Sequence, residues 1–541
     1  MAKRLTGFSK LLITLLILAL LFFGGKYLLQ KTGLGDSLDE YATNQEEAKQ
    51  DSRSDSNASN NSSSKNNNNS NSNASRSSDD DVLRVQLVSW GGYGPGLYFN
   101  EGAQANTKSR FYQDYGFKVE FTLENDLLNA MNAWMADEYD VIVQTADAFP
   151  LYTSPEDINQ FKPKAFMQVD WSRGGDAIIV KRGINTINDL KGKKIALAVP
   201  APSQTLLITS LQAAGLDYDD VEVIKTSDPL KAAELFRSDD VDAAVVWSPD
   251  DIFATRDVPG SKILLTTQQQ SHIIADILFA KEDVINKKKK MIDGFYEGWM
   301  KAASELKNPS NKNKAAKYLA EFNELAVEDA QGMIETVYWT SHGDNKNFFG
   351  LDTDFKGQRF QDLYSKMAKK FVETKDAETV APNWRNVIYT GAIRNANLTG
   401  PGFEAEGAKK FMPTTVKDKT STPIATKPIS INFGSGQYTL SENAKTIIDI
   451  QFAEIAKSFG NTKVRVEGNT DNVGARNMNQ DLSQKRANAV AKYLQRQYGL
   501  NVNKFVIVGN GPDKPVAGCE QNQNESCKAR NRRTEFQLIP G

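Results

Sequence analysis

The chain has few of the side chains that most enzymes use to bind metals or to act as nucleophiles. Its 541 residues include only two histidines and two cysteines. His272 and His342 stand far apart, and Cys519 and Cys527 do not have the spacing of a metal site or a redox motif. These absences disfavour a zinc enzyme, a thiol enzyme and a Ser-His-Asp hydrolase. We therefore expect no enzyme activity, no metal and no cofactor.

The charges of the chain balance. Lys plus Arg number 65 against 67 Asp plus Glu, which gives a formal net charge of −2. Such a chain lacks the excess of positive charge that a dedicated nucleic-acid binder carries. At about 100–200 residues per domain, the length fits roughly three domains, or two domains with connectors.

The amino terminus has the pattern of a membrane segment. Lys3, Arg4 and Lys10 precede the apolar stretch Leu11–Gly25, which resumes at Tyr27. The stretch reaches about the ~20 residues that cross a bilayer, and the basic side stays in the cytoplasm. A cleaved signal peptide and an uncleaved anchor both fit. Because no small-residue cleavage site follows, we expect a single inner-membrane span within residues 1–33, with the bulk of the chain in the periplasm.

Two polar segments divide the remaining chain into two domains. Residues 34–81 are rich in Ser, Asn, Asp and Glu, a composition that cannot form a hydrophobic core, so we expect a disordered linker there. A second linker, rich in Thr, Lys, Gly and Pro, is expected over residues 401–426. The two domains then span residues 82–400 and 427–541.

Both domains are predicted to be of the α/β class. The alternating strand Val82–Val88 is followed by a glycine-rich turn, and strand and helix patterns then alternate as far as Ala243–Trp247, with the spacing of parallel βαβ units. After about residue 283 helices dominate. The last domain predicts the order β-α-β-α-β-β, with a first strand at Ile429–Phe433 and helices at Ser441–Ser458 and Leu482–Tyr498.

Several motifs of the last domain resemble the OmpA-like peptidoglycan-binding domain. They are Val466–Gly474, Asn479–Ser483, Arg486-Ala487 and Asn531–Arg533. The resemblance implies binding to the diaminopimelate of the peptidoglycan stem peptide, whose side chain ends in a zwitterion. Asp471 would then pair with its ammonium group, and Arg486 would bind its carboxylate through two hydrogen bonds. Thr470, Asn479 and Arg532 would line the same site.

The last domain departs from that family at two positions. Asn469 stands where the family usually has His, and Gly434 stands where an acid often follows the first strand. The first change keeps local hydrogen bonding, whereas the second removes a candidate ligand. An internal surface salt bridge between Asp471 and Arg486 is the alternative explanation of that pair. Because the domain is exported, we also expect a disulfide between Cys519 and Cys527.

The first domain resembles periplasmic solute-binding proteins of the nitrate, sulfonate and taurine type, the substrate-binding proteins of ABC transporters. The stretches that carry the resemblance are Ile187–Ala196, Leu211–Leu216, Asp220–Ile224 and Val241–Pro249. The resemblance covers roughly residues 82–345. It implies two α/β lobes around a cleft that closes on a small solute by hinge motion.

In that fold the loops after the strand carboxyl ends meet at the cleft. The candidate solute-binding residues are Trp90, Gly91, Gly92, Tyr93, Gln144, Thr145, Ser203, Gln204, Thr205 and Trp247. A helix beginning at Ser203 would suit an oxyanion such as phosphate, nitrate or sulfonate. Arg173 is a partner for an anion, whereas Asp250 would favour a cation, and the sequence does not choose. Each residue also has a structural explanation, as a turn, core or helix-capping residue.

Three functions compete for this architecture. The first is an inner-membrane-anchored protein that binds peptidoglycan and a small solute, with a membrane transporter or envelope complex as partner. The second is a structural envelope tether or protein-docking scaffold whose solute domain binds no small molecule. The third is an enzyme, but no acid-base or nucleophile constellation supports it. We expect the first.

Overall fold

The computed structural model describes residues 81–431, 433–434 and 436–540, over which strands and helices alternate. In chain order the strands are β1 (Val82–Leu87), β2 (Lys118–Leu123), β3 (Val141–Thr145), β4 (Pro163–Gln168), β5 (Asp170–Ser172), β6 (Asp176–Val180), β7 (Lys194–Ala198), β8 (Glu222–Thr226), β9 (Ala243–Trp247), β10 (Lys262–Thr266), β11 (Asp276–Lys281), β12 (Val337–Trp339), β13 (Ala425–Ile429), β14 (Lys463–Asn469), β15 (Phe505–Gly511) and β16 (Thr534–Ile539).

The α-helices cover both lobes and the last domain. They are α1 (Gly94–Phe99), α2 (Arg110–Tyr115), α3 (Leu127–Met135), α4 (Phe149–Thr153), α5 (Glu156–Asn159), α6 (Pro202–Ala213), α7 (Pro229–Arg237), α8 (Asp250–Asp257), α9 (Glu282–Lys287), α10 (Lys289–Glu305), α11 (Pro309–Phe322), α12 (Val327–Glu335), α13 (His342–Phe348), α14 (Phe360–Glu373), α15 (Gly391–Asn395), α16 (Val416–Thr420), α17 (Glu442–Ile448), α18 (Glu454–Ser458), α19 (Arg476–Tyr498) and α20 (Glu525–Asn531).

The first lobe is built on a sheet with the order β2-β1-β3-β11-β4. Strand β1 pairs in parallel with β2 and β3, and β11 runs antiparallel between β3 and β4. Strand β3 is buried along its whole length, as expected of an apolar strand with both faces covered. Helix α10 covers one face, where Phe295 and Trp299 pack against Phe121 of β2.

The second lobe is built on a sheet with the order β10-β6-β9-β7-β8. Strand β7 is parallel to β8 and β9, and β6 is antiparallel to β9 and β10. Because successive side chains of a strand point to opposite faces, β6 serves two cores. Ile178 and Val180 belong to one hydrophobic cluster, and Ala177 and Ile179 belong to the other.

Two chain segments cross between the lobes, residues 170–175 and 267–275. A third connection follows α14, which is tied to the first lobe by a 2.6 Å hydrogen bond between the hydroxyls of Tyr364 and Thr153. Beyond the helix, the Asp376 carboxylate accepts a hydrogen bond from Gln204 Nε2 at 2.5 Å and pairs with Lys225 Nζ at 2.5 Å, both on the second lobe. The loop after α14 therefore joins the lobes outside the hinge.

The last domain is a four-stranded sheet with the order β13-β16-β14-β15, in which only β14 and β15 are parallel. Phe452 and Phe536 stack in its core with ring centroids 3.9 Å apart. The predicted β-α-β-α-β-β order is present, with α20 added before the last strand.

Two predicted boundaries in the last domain are wrong, and one predicted helix is interrupted. The first strand is Ala425–Ile429 rather than Ile429–Phe433. Its Pro428 is tolerated because β13 is an edge strand that pairs only with β16. The helix predicted over Ser441–Ser458 has the predicted ends, with Ser441 as its cap, and a π-helical turn at Asp449–Ala453 separates α17 from α18 within it. The second helix begins at Arg476, six residues before the predicted Leu482.

The last domain docks on the second lobe. The side chain of Asn188 donates to Thr426 O at 3.0 Å and accepts from Thr426 N at 2.9 Å, and Ile187 N donates to Ile424 O at 2.9 Å. Apolar residues of α6, such as Leu207, share one hydrophobic cluster with Phe452 of the last domain. The two domains therefore share a continuous hydrophobic core, and β13 begins inside the predicted linker 401–426.

Two predicted segments lie outside the described residues. The membrane anchor expected within residues 1–33 is one, and the linker expected over residues 34–81 is the other except for Asp81. Among the described residues, no helix combines the length and the apolar composition required to cross a bilayer.

Candidate functional site

A small cavity lies between the lobes, at the carboxyl ends of β1, β3 and β9. Its volume is about 40 Å³. Five of the ten predicted solute-binding residues line it, namely Trp90, Tyr93, Gln144, Thr145 and Trp247. The other lining residues are Val88, Leu127, Val143, Asp176, Pro202, Ile274 and Asp276. The walls are therefore mostly apolar and aromatic, with two carboxyls and the Thr145 hydroxyl among them.

Gly91 and Gly92 allow a tight turn after β1. A Cβ atom on Gly92 would lie 1.6 Å from Asp170 Oδ2, and one on Gly91 would lie 2.3 Å from Met333 O. Both positions therefore require glycine because neighbouring atoms approach the backbone. The two glycines position the aromatic residues on either side of them and are not among the residues that line the cavity.

The flanking aromatic residues each hydrogen-bond to a buried carboxyl. Trp90 Nε1 donates to Asp170 Oδ2 at 3.1 Å, and the Tyr93 hydroxyl donates to Asp276 Oδ2 at 2.6 Å. Burial and the neighbouring carboxyls raise the pKa of Tyr93 well above its usual value, so the hydroxyl keeps its proton. These two bonds fix the aromatic rings on the cavity wall.

The start of α6 faces the cleft from the second lobe. The helix begins at Pro202, and its cap residue Ala201 makes no side-chain cap, so Ser203 is not the helix cap that the sequence suggested. The hydroxyls of Ser203 and Thr205 are buried and have no hydrogen-bond partner in the described part of the chain. Gln204 Nε2 is bound instead to Asp376. Of this helix start only Pro202 lines the cavity; Ser203 and Thr205 lie behind it, with Thr205 beside Asp147, and the Gln204 amide nitrogen is already occupied.

Four buried carboxyls surround the cavity and were not singled out by the sequence analysis. This acid cluster consists of Asp147, Asp170, Asp176 and Asp276. Burial raises the pKa of Asp147 to about 7 and that of Asp176 to about 8, and the nearby carboxyl of Asp276 adds to both shifts. Burial also raises the pKa of Asp170 and Asp276. The available signal was an acid within an apolar run, as in Ile274-Ala275-Asp276-Ile277-Leu278.

The cluster contacts only neutral donors. Asp176 Oδ2 accepts from Ser172 Oγ at 2.6 Å, while Asp170 and Asp276 accept from Trp90 and Tyr93. Both oxygens of Asp147 lack a hydrogen-bond partner among the described residues, although the hydroxyls of Thr145 and Thr205 lie nearby. The acid cluster therefore retains unused acceptors.

The two charged residues considered for the solute lie outside the cavity wall. Arg173 forms a two-bond pair with Glu406, at 2.6 and 2.5 Å, and its guanidinium lies 4.3 Å from the centre of the Tyr338 ring. Asp250 begins α8, and burial raises its pKa. Neither residue lines the cavity, so neither selects the charge of a ligand there.

The predicted peptidoglycan residues gather at the carboxyl end of β14. Asp471 Oδ2 pairs with Arg532 Nη1 at 2.6 Å, so its internal partner is Arg532 rather than Arg486. The Arg486 guanidinium lies 4.9 Å from the centre of the Phe433 ring, and its Nε donates to Gln437 O at 3.0 Å. Burial lowers the pKa of Arg486. Both arginines line a cavity of about 40 Å³, together with Asn469.

Thr470 and Asn479 hold the loop that carries Asp471. The Thr470 hydroxyl donates to Asp471 O at 2.8 Å, and Asn479 Nδ2 donates to Val473 O at 2.9 Å. Asn469, at the position where the family usually has His, accepts a hydrogen bond from Asn510 Nδ2 at 3.1 Å. The structure thus gives Thr470 and Asn479 a positioning role, while Asp471, Arg486 and Arg532 present the charges.

The two cysteines form a disulfide, with Cα atoms 5.0 Å apart. The loop it closes is also held by Asn531, whose Nδ2 donates to Cys519 O at 2.9 Å. Since Asn531 directly precedes Arg532, this loop helps to position the guanidinium that pairs with Asp471. The disulfide therefore stabilises the loop that positions Arg532.

The architecture defines a two-lobed binding-protein fold joined to a small four-stranded α/β domain. Residues 105–311 match the family model described as NMT1/THI5 like, and residues 432–531 match that of the OmpA family. The chain therefore carries an NMT1/THI5-like domain followed by an OmpA family domain.

Curated relatives and solved structures resemble parts of the chain. Outer membrane porin F of Pseudomonas aeruginosa is 34% identical over 110 residues, which are 20% of this chain and 30% of that protein. Outer membrane protein Omp38 of Acinetobacter baumannii is 30% identical over 156 residues, 29% of this chain and 41% of that protein. The chain thus spans less than half the length of each. The periplasmic aliphatic sulphonate binding protein SsuA of Escherichia coli is 17% identical with a TM-score of 0.44, covering 62% of this chain and 97% of its own.

Proposed function

We propose that this protein is a small-solute receptor of the cell envelope that its OmpA family domain fixes to peptidoglycan. The observation that carries the solute-binding part is a set of buried polar atoms at the cleft that have no hydrogen-bond partner among the described residues. Thr145 Oγ1 comes from the first lobe, and Ser203 Oγ, Thr205 Oγ1 and Trp247 Nε1 come from the second. Buried polar groups without partners cost free energy. A small polar ligand between the lobes would satisfy the two that line the cavity, Thr145 Oγ1 and Trp247 Nε1, from both sides at once.

Attachment to peptidoglycan is supported by the charged groups of the OmpA family domain. Asp471 offers a carboxylate, and Arg486 and Arg532 offer two guanidinium groups, at the end of one strand. This is a complementary set for the zwitterionic end of diaminopimelate. The relatives porin F and Omp38 are named as outer membrane proteins, which supports a place in the envelope.

The apolar stretch within residues 1–33 supports a single inner-membrane span that leaves both domains in the periplasm. A membrane transporter or envelope complex would then receive the solute. Alkaline extraction of membranes tests the anchor. We expect the full chain to remain in the membrane pellet, and release of a shortened chain would show that the segment is a cleaved signal peptide.

Thermal unfolding of the full chain tests the solute-binding part. A ligand present at 100 times its dissociation constant stabilises the protein by about 2.7 kcal/mol. We expect at least one member of a panel of small amines, guanidines, sulfonates and inorganic oxyanions to raise the melting temperature. The Thr145→Val variant should lose most of that rise. A panel without any effect would contradict solute binding.

Co-sedimentation with purified diaminopimelate-type peptidoglycan tests the wall attachment. We expect Asp471→Ala and Arg486→Ala to abolish sedimentation of the full chain. Asp513→Ala is the matched control, since Asp513 is an acid of the same domain whose partner Arg476 is three-quarters exposed. Retained sedimentation by both of the first two variants would show that the site is elsewhere.

A scaffold without a ligand is the second candidate, and the size of the cavity is the observation that favours it. About 40 Å³ holds only a few water-sized groups, and the side chains of Trp90 and Trp247 form part of the wall. In that case the variants at Asp471 and Arg486 would still lose wall binding, while no solute would raise the melting temperature.

A further inference from the structure

The charge of the cleft walls points to the class of solute, given that the cleft binds one as proposed above. Of the twelve residues that line the cavity, two are carboxylic acids, and no lysine, arginine or histidine is among those described. Asp147 and Asp170, the other two members of the acid cluster, are buried and do not line the cavity. An oxyanion placed here would meet carboxyls and no basic side chain.

The carboxyls have spare acceptor capacity. Asp170 Oδ1 and both oxygens of Asp147 are buried without a hydrogen-bond partner in the described chain. Every partner that the cluster does have is a neutral donor, namely Trp90, Tyr93 and Ser172. A buried carboxylate needs a cation or several donors to compensate for the loss of water. The protein itself supplies neither in sufficient number.

A hydroxyl of the cavity wall lies beside the acid cluster and adds a polar atom for a ligand. Thr145 lines the cavity, is 7% exposed, and its Oγ1 has no hydrogen-bond partner among the described residues. The Asp147 carboxyl lies beside this hydroxyl, so the hydroxyl can donate to the acid while its oxygen accepts from an occupant of the cleft. A hydroxyl oxygen can accept a hydrogen bond from the N–H of a bound ammonium or guanidinium group.

The aromatic side chains favour the same charge. Trp90, Tyr93 and Trp247 line the cavity together with Asp176 and Asp276. The faces of aromatic rings carry negative partial charge and attract cations, with indole the strongest. Indole and phenol rings beside carboxyls form a wall that favours an organic cation, and a bound cation would in turn favour the ionised form of these carboxyls.

We propose that the solute of the cleft is a small organic cation, an ammonium or guanidinium compound of few heavy atoms, bound between the acid cluster and the aromatic rings of Trp90, Tyr93 and Trp247. The carboxyls would accept its N–H groups, and the rings would cover its apolar part. The cavity is too small to hold a large polyamine while the lobes lie as close together as they do in this structure.

Titration calorimetry on the full chain tests this class directly. The probes are the chlorides of methylammonium, ethanolammonium, choline and guanidinium, against the sodium salts of nitrate, phosphate, methanesulfonate and taurine, at equal ionic strength. We expect at least one cation to bind and none of the anions. Binding by anions alone would overturn the cation assignment and leave the receptor function standing. No binding by either set would overturn both.

Two variants and a matched control locate the binding. Asp176→Asn and Asp147→Asn remove one carboxyl each while keeping the side-chain shape, and each should weaken binding of the cation at least tenfold. Asp513→Asn makes the same change of charge on the last domain and should leave the affinity unchanged. Far-ultraviolet circular dichroism and the melting temperature establish that each variant is folded. Unchanged affinity in both folded cleft variants would show that the cation binds elsewhere and would overturn the proposal.

Discussion

The two candidate sites of this protein differ in the partners of their carboxyl groups. In the last domain Asp471 already has an internal partner, since Arg532 Nη1 lies 2.6 Å from its Oδ2. Around the cleft cavity lie four carboxyls, and the hydrogen-bond donors that they have within the described part of the chain are uncharged. The difference shows that the site of the last domain is stable without its ligand, whereas the cleft carries an electrostatic cost that a ligand would relieve.

The largest expected effect concerns the pH dependence of that cost. Burial raises the pKa of Asp176 from its usual 3.8 to about 8. Between these two pH values the folded state therefore binds a proton that the unfolded state has released. The free energy of unfolding consequently falls as the pH rises through this range. Across this window of about four pH units the loss reaches roughly 6 kcal/mol, at about 1.4 kcal/mol per pH unit.

The Asp176→Asn variant isolates this contribution. We expect its free energy of unfolding to match that of the unaltered protein near pH 4 and to exceed it by several kcal/mol near pH 9, measured by urea denaturation without added solute. The difference should widen steadily between the two pH values. If it stayed constant with pH, Asp176 would not be protonated in the folded protein, and the contrast between the two sites would disappear.

A second prediction concerns the internal partner of Asp471. Arg532→Ala removes the guanidinium that orients this carboxylate, but Arg486 remains on the other side of the site. We expect about tenfold weaker binding to diaminopimelate-type peptidoglycan, equivalent to about 1.4 kcal/mol. Quantitative co-sedimentation measures the affinity, with Arg476→Ala as the control on the same domain. Loss as complete as in Arg486→Ala would show that Arg532 binds the ligand rather than orienting Asp471.

The aromatic part of the cleft could be predicted from the sequence, but its acids could not. Trp90 and Tyr93 directly follow an alternating strand, and Trp247 ends another, so the rule that strand carboxyl ends meet at the cleft was sufficient. Asp147, Asp170, Asp176 and Asp276 belong to no motif, and their proximity depends on how the two lobes close. Gln204 shows the same limit, because Asp376, the residue that binds it, lies 172 positions along the chain.

The motifs of the last domain predicted the members of its site and missed their pairing. Asp471, Arg486 and Arg532 do meet at the end of β14, because these motifs lie at fixed positions around a small sheet. The sequence could not tell that Arg532 rather than Arg486 would contact Asp471, since that depends on side-chain conformations. The first strand was misplaced for a different reason. Two neighbouring stretches, Ala425–Ile429 and Ile429–Phe433, both have the apolar pattern of a short strand, and the sequence alone does not choose between them.

A third prediction tests whether the second lobe and the last domain, which carry the two sites, unfold together. Asn188→Ala removes the side chain that exchanges two hydrogen bonds with Thr426 at the domain contact. Because a buried hydrogen bond typically contributes about 0.5–1.5 kcal/mol, we expect a loss of about 1–2 kcal/mol of unfolding free energy, read from urea denaturation. Asn185→Ala, on the exposed turn before β7, is the control. A separate unfolding step for the last domain, in place of one cooperative transition, would contradict the shared core.

The smallest expected effect is that of the exposed pair Arg476–Asp513, whose charged atoms lie 2.7 Å apart on the surface of the last domain. Arg476 is 75% exposed, so water and salt screen the attraction, and such pairs contribute little to stability. We expect the coupling in a double-mutant cycle of Arg476→Ala and Asp513→Ala to be small at low salt and to vanish in 1 M sodium chloride. The pH-dependent difference produced by Asp176→Asn should persist in the same salt, because a buried carboxyl is screened much less than an exposed one. Equal salt sensitivity of the two effects would mean that the cleft carboxyls are exposed to water, and it would remove the physical basis of the contrast between the two sites.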